Sequence, residues 1–425
     1  MALHVPANPV RFVTAASLFD GHDDGIDVMR RLLQAQGAEV VDLGHDRGVE
    51  EVVTAAVQED VQGVAVSPGQ GGHVEYFSRL IDRLAERGAA DVRVYGGGGT
   101  IVPDEIALLA ARGVRILSPR DGRRLGSPGM ISELIRDCHV DLARRRPPVD
   151  AETLRAGDEM ALARAITLLQ AGADDRLAAA VRDAARSRAV PVLGITGTGG
   201  SGKSSLTDEL VRHLRRDSED KLRVAVIAID PSRRRGGGAL LGDRIRMNSA
   251  APGVVFFRSL ATRRCDGTAP AHMVDIIAAC KAAGYDLVIV ETPGIGQGDT
   301  SIASYAAVSL YVMTPDYGTA GQLEKIDMLD LADAVAINKF ERLGAEEARR
   351  DVARQLVRNR EQFGTPWQRM PVFGTSAARL DDDGVTALYH HLKGLLVDYG
   401  LPRFPGMLPT VEGQMSTGLI PAGMA

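Results

Sequence analysis

Residues 197–204 read Gly-Thr-Gly-Gly-Ser-Gly-Lys-Ser, a spacing that wraps a backbone loop around phosphate groups. Glycines allow a close approach, so that successive backbone N–H groups can point at phosphate oxygens. Lys203 is expected to neutralise the terminal phosphates, and Ser204 is expected to reach a Mg²⁺ ion. An apolar stretch at 190–195 precedes the loop and a helical pattern follows it, which is the context that a P-loop requires. The residues expected to bind the nucleotide phosphates are Gly197, Gly200, Ser201, Gly202, Lys203, Ser204 and Ser205.

Two carboxylates lie at the ends of later apolar stretches, Asp230 after residues 223–229 and Glu291 after residues 285–290. Because the carboxyl ends of parallel strands meet at one edge of a sheet, both carboxylates are expected near the phosphate loop. Alone, each would more simply be a solvated carboxylate or a helix cap, but beside a phosphate loop Mg²⁺ binding is the better interpretation. Lys203, Ser204 and Glu291 are therefore predicted to be catalytic.

Residues 338–341, Asn-Lys-Phe-Glu, follow another apolar stretch and resemble the N-K-x-D sequence with which G proteins recognise guanine. Glu341 departs from that pattern, in which Asp is usual, and moves the carboxylate by one methylene. If its hydrogen bonds to guanine are spoiled, base discrimination falls by roughly 1–3 kcal/mol, or about ten- to a hundredfold. GTP is the expected substrate. The residues expected to contact the base are Asn338, Lys339, Phe340, Glu341, Ser376 and Ala377.

Residues 20–25, Asp-Gly-His-Asp-Asp-Gly, follow the first apolar stretch and match the D-x-H-x-x-G signature of the cobalamin-binding domains of mutases. A neutral imidazole at His22 can coordinate cobalt, and Asp20 can accept its other N–H. Alone, His22 would more simply be a loop histidine, but two later loops of small residues leave room for the nucleotide tail of the cofactor. The family usually has S-x-L where this chain has Ser-Pro-Gly at 67–69, so one apolar contact is missing. The residues expected to bind cobalamin are Asp20, His22, Gly25, Ser67, Gly97 and Gly98.

Two series of strands and helices must position these residues. Short apolar stretches alternate with amphipathic ones over residues 11–118, and again from residue 190. This alternation predicts parallel sheets covered by helices, and hence an α/β protein. The expected order is a flavodoxin-like, Rossmann-like cobalamin-binding domain (10–135), a helical connector (136–189), a P-loop GTPase domain (190–400) and a linker or disordered tail (401–425).

Composition excludes several other classes of protein. The formal net charge is −5, which disfavours a nucleic-acid partner. No stretch reaches the roughly 18 consecutive apolar residues of a membrane span, and no signal peptide is recognisable. The cysteines, Cys138, Cys265 and Cys280, form no metal-binding or disulfide pattern. A cytoplasmic protein is therefore expected.

Residues 230–247, DPSRRRGGGALLGDRIRM, and 291–297, ETPGIGQ, together with the P-loop resemble the G-protein chaperones of cobalamin-dependent acyl-CoA mutases. The resemblance implies that Arg246 contacts the nucleotide. Gln297 is a catalytic candidate only by its position. The Mg²⁺ ligands that the resemblance implies are Ser204, the carbonyl of Ile229, Asp230, Asp243, Glu291 and Thr292.

The order of domains resembles the front half of the fused isobutyryl-CoA mutase family over residues 10–425. The resemblance implies a GTPase chaperone that gates the loading and protection of adenosylcobalamin. In that family an acyl-CoA-binding barrel follows, so mutase activity is expected only with a barrel from a partner or a longer parent chain. The expected partners are the substrate-binding part of an acyl-CoA mutase, a cobalamin adenosyltransferase and a second copy of this chain.

Two other functions stay open at this point. A P-loop small-molecule kinase would phosphorylate an acceptor and show no preference for guanine, and residues 338–339 count against it. A non-catalytic subunit that binds cobalamin or nucleotide would explain the departures at residues 68–69 and 341 as losses of affinity.

Overall fold

The structure is a computed structural model, and it describes residues 4–17, 23–67, 71–97, 101–141, 149–172, 174–232, 238–263, 272–294, 300–317, 323–324 and 326–409. The chain packs into two compact units, each built from two stretches of sequence. Unit 1 comprises Met1–Ala189 and Arg223–Val288, and unit 2 comprises Val190–Leu222 and Ile289–Ala425. The domain boundaries stated above stay a prediction, since packing units and functional domains need not coincide.

The strands all come from short apolar stretches of the sequence. They are β1 (Arg11–Ala16), β2 (Glu39–Asp42), β3 (Gly63–Ser67), β4 (Arg93–Gly97), β5 (Val114–Leu117), β6 (Val192–Gly197), β7 (Val224–Asp230), β8 (Ala239–Leu241), β9 (Val255–Ala261), β10 (Leu287–Glu291), β11 (Val308–Met313), β12 (Ala334–Asn338) and β13 (Val372–Thr375). Strands β8 and β9 were not predicted, whereas β6, β7 and β10 lie within a few residues of the apolar stretches at 190–195, 223–229 and 285–290.

The helices follow the amphipathic stretches between the strands. They are α1 (Asp23–Ala35), α2 (Val49–Gln58), α3 (His73–Glu86), α4 (Pro103–Ala111), α5 (Pro119–Cys138), α6 (Ala151–Arg155), α7 (Glu159–Gln170), α8 (Asp175–Arg186), α9 (Lys203–Ser218), α10 (Met273–Ala282), α11 (Met328–Leu331), α12 (Ala345–Asn359) and α13 (Asp383–Asp398). Aspartates cap α7, α8 and α13, because their carboxylates accept N–H groups that the first helical turn leaves without a partner. No helix among the residues that the structure describes is both long and apolar enough to cross a lipid bilayer.

Unit 1 contains a parallel sheet with the strand order β5-β4-β3-β1-β2-β8. The first five of these strands have the flavodoxin-like order, in which the chain reverses direction across the sheet between β1 and β3. Strand β8 comes from much later in the sequence and forms one edge. The same unit holds β7 and β9, which pair in parallel along their whole length. The predicted flavodoxin-like fold is confirmed.

Unit 2 contains the strand order β13-β12-β11-β6-β10, with parallel pairing between β13 and β12, β12 and β11, and β11 and β6. Strand β10 begins in unit 1 and ends in unit 2, because the boundary falls after Val288. Every residue of β6, β11 and β12 is buried. Such strands are covered on both faces, which is why they are continuous apolar stretches and do not alternate with polar residues. The P-loop arrangement expected of an α/β nucleotide-binding protein is confirmed.

The tail predicted from residue 401 lies partly within the described residues. There the N–H of Leu408 donates a hydrogen bond to the buried carboxylate of Asp217, at 2.9 Å. Lys393 and the hydroxyl of Tyr389 donate to the same carboxylate, each at 2.7 Å.

One apolar cluster of unit 1 packs α5 against the sheet, and Leu134 lies fully buried within it beside Phe12. Leu134→Ala is expected to lower the free energy of unfolding of this unit by about 2–5 kcal/mol, because the lost contacts leave a cavity. Leu108→Ala is the matched control, since Leu108 is 51% exposed on α4 and its truncation is expected to change stability by less than about 0.5 kcal/mol. Urea unfolding of the two variants measures the difference, and equal midpoints would contradict the assigned core.

Candidate functional site

The phosphate loop runs from the end of β6 to the start of α9, and its backbone requires glycine. A Cβ on Gly197 would lie 1.9 Å from the carbonyl oxygen of Val312. Gly200 and Gly202 have φ angles of 73° and 87°, in the left-handed region that side chains disfavour. The loop therefore has the shape that brings backbone N–H groups close to a ligand.

Lys203 lies across this loop. Its Nζ donates hydrogen bonds to the carbonyl oxygens of Gly197 and Thr198, at 3.2 and 3.1 Å. A Cβ on Gly294 would lie 2.5 Å from that Nζ and 2.7 Å from the Cα of Gly199, so the backbone of the phosphate loop leaves room only for a glycine where the chain after β10 passes it. The ammonium group is thus held over the loop, where phosphate oxygens can replace the two carbonyls as its partners.

A cluster of oxygen atoms lies beside the loop, at the end of β10. Ser204 Oγ donates to Glu291 Oε1 at 2.8 Å, and Thr207 Oγ1 donates to Glu291 Oε2 at 2.8 Å. The Thr292 hydroxyl donates to the hydroxyl of Thr196, also at 2.8 Å. Thr207 was not predicted, although its place three residues after Ser204 on the same helical face was the signal that could have identified it.

This cluster has the chemistry that a Mg²⁺ ion requires. Mg²⁺ prefers oxygen ligands and is commonly held by one or two carboxylates together with substrate phosphates. Within the described residues, no group of three or more His, Cys, Asp or Glu side chains could hold a metal ion. The hydroxyl of Ser204 and the carboxylate of Glu291 could serve as ligands of a Mg²⁺ ion at this point, together with the phosphates of a nucleotide.

Asn338 links the phosphate loop to the loop after β13. Its Nδ2 donates to the carbonyl oxygen of Ser201 at 2.7 Å. Its Oδ1 accepts hydrogen bonds from the Thr375 hydroxyl and the Ala377 N–H, each at 3.2 Å. Lys339 has a left-handed φ of 60°, and its Nζ donates to the Gly200 carbonyl at 2.7 Å. The predicted phosphate-binding and base-binding residues of this unit are therefore brought together.

Glu341 was predicted to contact the base, and it lies beside the loop after β13. Its Oε2 accepts a hydrogen bond from the Ser376 hydroxyl at 2.8 Å. Its own backbone N–H, and then the Ser376 hydroxyl, lower the pKa of the Glu341 carboxyl, so it is ionised at neutral pH. Phe340 packs over Gly374 of β13, where a Cβ would lie 2.5 Å from its ring. Ser205 occupies the first turn of α9 and is half-buried.

The remaining predicted nucleotide and Mg²⁺ residues belong to unit 1, except for Gln297, which lies outside the described residues. Ile229 and Asp230 are the last two residues of β7 and are buried. Asp243 and Arg246 lie at either end of a short 3₁₀ turn, and Arg246 Nη1 contacts Asp243 Oδ1 at 3.2 Å.

Ser67 and Gly97 are the last residues of β3 and β4. They lie at the carboxyl ends of the strands of unit 1, in which the strand order reverses between β1 and β3. Ser67 is in register with Ala16 at the end of β1, and its carbonyl accepts the N–H of Ser17 at 2.9 Å. Gly25 lies on α1, where an added Cβ would meet no atom within 4 Å. The carboxyl ends of the strands, at the point where the strand order reverses, are where flavodoxin-like sheets bind their ligands. The predicted positions Asp20, His22 and Gly98, and the departure at 68–69, lie outside the described residues.

Two family models match the chain. One, described as methylmalonyl Co-A mutase-associated GTPase MeaB, matches residues 162–396, and the other, described as a B12 binding domain, matches residues 10–117. The fused isobutyryl-CoA mutase of Nocardia farcinica is 66% identical over 98% of this chain and 39% of its own length. The fused isobutyryl-CoA mutase of Cupriavidus metallidurans is 60% identical over 97% of this chain and 38% of its own length. GTPase ArgK of Escherichia coli is 36% identical over 44% of this chain and 57% of its own length. The chain thus spans about two fifths of the length of the mutases that it matches.

Gly202→Ala is expected to weaken nucleotide binding by about tenfold or more, because the new methyl group would lie 2.5 Å from Asn338 Nδ2 and displace that side chain from Ser201. Gly253→Ala is the control. Gly253 has a similar φ of 79°, but a Cβ there would meet no atom within 4 Å. Titration with a fluorescent guanine nucleotide measures both affinities. Equal losses in the two variants would mean that backbone strain, and not the Asn338 contact, sets the affinity.

Proposed function

The chain belongs to the family of methylmalonyl-CoA mutase-associated GTPases, and on that premise we propose that it hydrolyses GTP to gate the loading and protection of adenosylcobalamin for an acyl-CoA mutase. The observation that carries the proposal is the Asn338 side chain, which joins the P-loop to the loop after β13, the loop that we propose recognises the base. The same chain also contains a flavodoxin-like sheet matched by a B12-binding model. Isomerisation of an acyl-CoA would need an acyl-CoA-binding barrel, supplied by a partner or by a longer chain that includes these residues.

In the proposed hydrolysis, the loop binds the phosphates and Lys203 exchanges its two carbonyl partners for phosphate oxygens. Ser204, Glu291 and Thr292 would hold Mg²⁺, with Ile229, Asp230 and Asp243 as the further proposed ligands. When bound, Mg²⁺ neutralises charge on the β- and γ-phosphates. Arg246 would contact the nucleotide and Gln297 would orient the attacking water.

Guanine selection is assigned to the ionised carboxylate of Glu341. This carboxylate can accept two N–H groups of guanine, which adenine does not present in the same arrangement. Asn338 Oδ1 accepts the N–H of Ala377 and so fixes the loop after β13, where Ser376 and Ala377 would lie against the base. Lys339 and Phe340 would flank the ring. This assignment favours GTP hydrolysis over phosphate transfer to a small molecule, because a small-molecule kinase does not need to recognise guanine.

The proposed cobalamin site lies at the carboxyl ends of β1, β3 and β4. His22 would donate its imidazole nitrogen to cobalt, while Asp20 would accept the other ring N–H and fix the tautomer. Ser67, Gly97 and Gly98 would leave room for the nucleotide tail of the cofactor, and Gly25 would keep the start of α1 clear. Adenosylcobalamin supplies radical chemistry when bound.

The proposal extends to partners and location. The first partner would be the substrate-binding part of an acyl-CoA mutase, because the fused relatives carry that name. A cobalamin adenosyltransferase would deliver the cofactor, and two copies of the chain would associate. All of these would act in the cytoplasm.

Lys203→Met is expected to lower GTP hydrolysis by at least about 100-fold, because the side chain can no longer stabilise charge on the phosphates. Lys221→Met is the control, since Lys221 is exposed and contacts only Glu219 among the ion pairs of unit 2 that the structure describes. Phosphate release from GTP and from ATP measures activity and base preference. Transfer of phosphate from ATP to a small acceptor, with no preference for GTP, would instead establish a kinase.

Binding of adenosylcobalamin by wild type is expected to change its absorption spectrum, because the imidazole of His22 would coordinate cobalt in place of the base of the cofactor's own tail. His22→Ala is expected to abolish that change, whereas His45→Ala, at an exposed histidine beside Asp46, should retain it. No spectral change in wild type at saturating cofactor would remove the cobalamin part of the proposal and leave the GTPase part intact.

A further inference from the structure

A cavity of about 80 Å³ lies within unit 1, and none of its lining residues is assigned above to cobalamin or to nucleotide. Residues of β1, β2, α7 and β9 form its walls. Arg258 and Gln62 in these walls are buried, whereas Pro9 and Ala171 are exposed, so the cavity is open to solvent on their side. A cavity needs roughly 10–15 Å³ to hold one water molecule, so this one has room for several waters or for a small anion in their place.

Arg258 of β9 brings a positive charge to this cavity, although it is only 1% exposed. Its Nη1 donates to the Gln58 carbonyl at 3.3 Å, and its Nη2 donates to the Thr167 hydroxyl at 2.8 Å. Its Nε has no hydrogen-bond partner among the residues that the structure describes. A guanidinium carries five N–H donors, so these two hydrogen bonds leave donors for a ligand. Buried donors without a partner are rare in folded proteins and call for a water or an ion.

The other two arginines that line the cavity are already paired with carboxylates. Arg11 lies 2.7 Å from Glu39 and 3.1 Å from Glu59. Arg263 lies 2.8 Å from the same Glu39 carboxylate. Arg258 differs from both, because within the described part of the chain it forms no ion pair. Since a buried charge without a counter-charge is unfavourable, Arg258 is the position in the cavity where an anion would gain most.

The surroundings of Arg258 disfavour its charge. Burial, and then the positive charge of Arg11, lower the pKa of Arg258 to about 9. The carboxylates of Glu59, Asp60 and Glu39 oppose this shift without outweighing it. The guanidinium is therefore still protonated at neutral pH, and an anion in contact with it would supply the compensation that the neighbouring carboxylates do not complete.

We propose that this cavity binds a small oxyanion, either the carboxylate of an organic acid or inorganic phosphate, and that Arg258 is its main binding residue. A guanidinium can donate two parallel hydrogen bonds to the oxygen atoms of such an anion. The proposal is independent of the proposed function, because no residue of the cavity takes part in it.

Titration of the full chain with acetate, and separately with phosphate, tests the proposal at fixed pH, with chloride holding the ionic strength constant. The reporter is the proton–nitrogen NMR resonance of Arg258 Nε, which is observable because this buried N–H exchanges slowly with water. The resonance is identified by its loss in Arg258→Met, or in Arg258→Lys should the first variant fail to fold. It is expected to move and to saturate, and the anion that saturates it at the lower concentration identifies the source. Phosphate bound at the loop of unit 2 would not move this reporter.

Ala171→Leu narrows the cavity and leaves the guanidinium in place, so the anion concentration at half-saturation is expected to rise about tenfold. Ala111→Leu is the matched control. Ala111 is also an exposed alanine, at the end of α4, and it does not line the cavity, so its half-saturation should stay within about twofold of wild type.

Two outcomes would overturn the proposal. A resonance that moves no more with acetate or phosphate than with chloride alone would mean that the cavity holds only water. Saturation at the same anion concentration in wild type and in Ala171→Leu would mean that the anion binds outside the cavity.

Discussion

A single buried carboxylate, Glu59, joins several elements of unit 1. It lies at the end of α2, out of contact with water, and is held by guanidinium, hydroxyl and backbone N–H groups from distant parts of the sequence. Removing one partner from a buried ion pair commonly destabilises a protein by about 3–5 kcal/mol, because the remaining charge is left without compensation. Arg11, Arg244 and Ser259 must therefore keep their places together, and with them the strands β1 and β9 and the turn after β8.

Parallel sheets explain why so much of the chemistry was predictable. In both units the predicted residues follow strands whose carboxyl ends meet at one edge, as the ends of β1, β3 and β4 do. The phosphate loop, Asn338 and Glu341 could be assigned because each follows a continuous apolar stretch. The flavodoxin-like strand order followed from the same alternation of strands and helices.

The sequence did not reveal β8 and β9, for a physical reason. Strand β8 has three residues, and only its pairing with β2 makes it a strand. Strand β9 contains Arg258, which is 1% exposed and whose guanidinium donates to the Gln58 carbonyl and the Thr167 hydroxyl. A buried arginine interrupts an apolar pattern, and the partners that stabilise it are distant in sequence. Arg244 is a second example, because the sequence alone does not distinguish it from a solvated arginine. Its partner Gln58 on α2 is distant in the sequence.

The double role of Asn338 bears on how this protein can change over evolutionary time. Its one amide group holds both the phosphate loop and the loop after β13, so on the proposed function a mutation there would alter affinity for every nucleotide at once. Base preference can therefore change more readily through a neighbouring residue that does not also hold the phosphate loop. Glu341, whose carboxylate accepts the Ser376 hydroxyl, is such a neighbour, and it is the position where this sequence departs from the usual aspartate. Substitutions that leave function intact are therefore expected more often at the carboxylate of Glu341 than at the amide of Asn338.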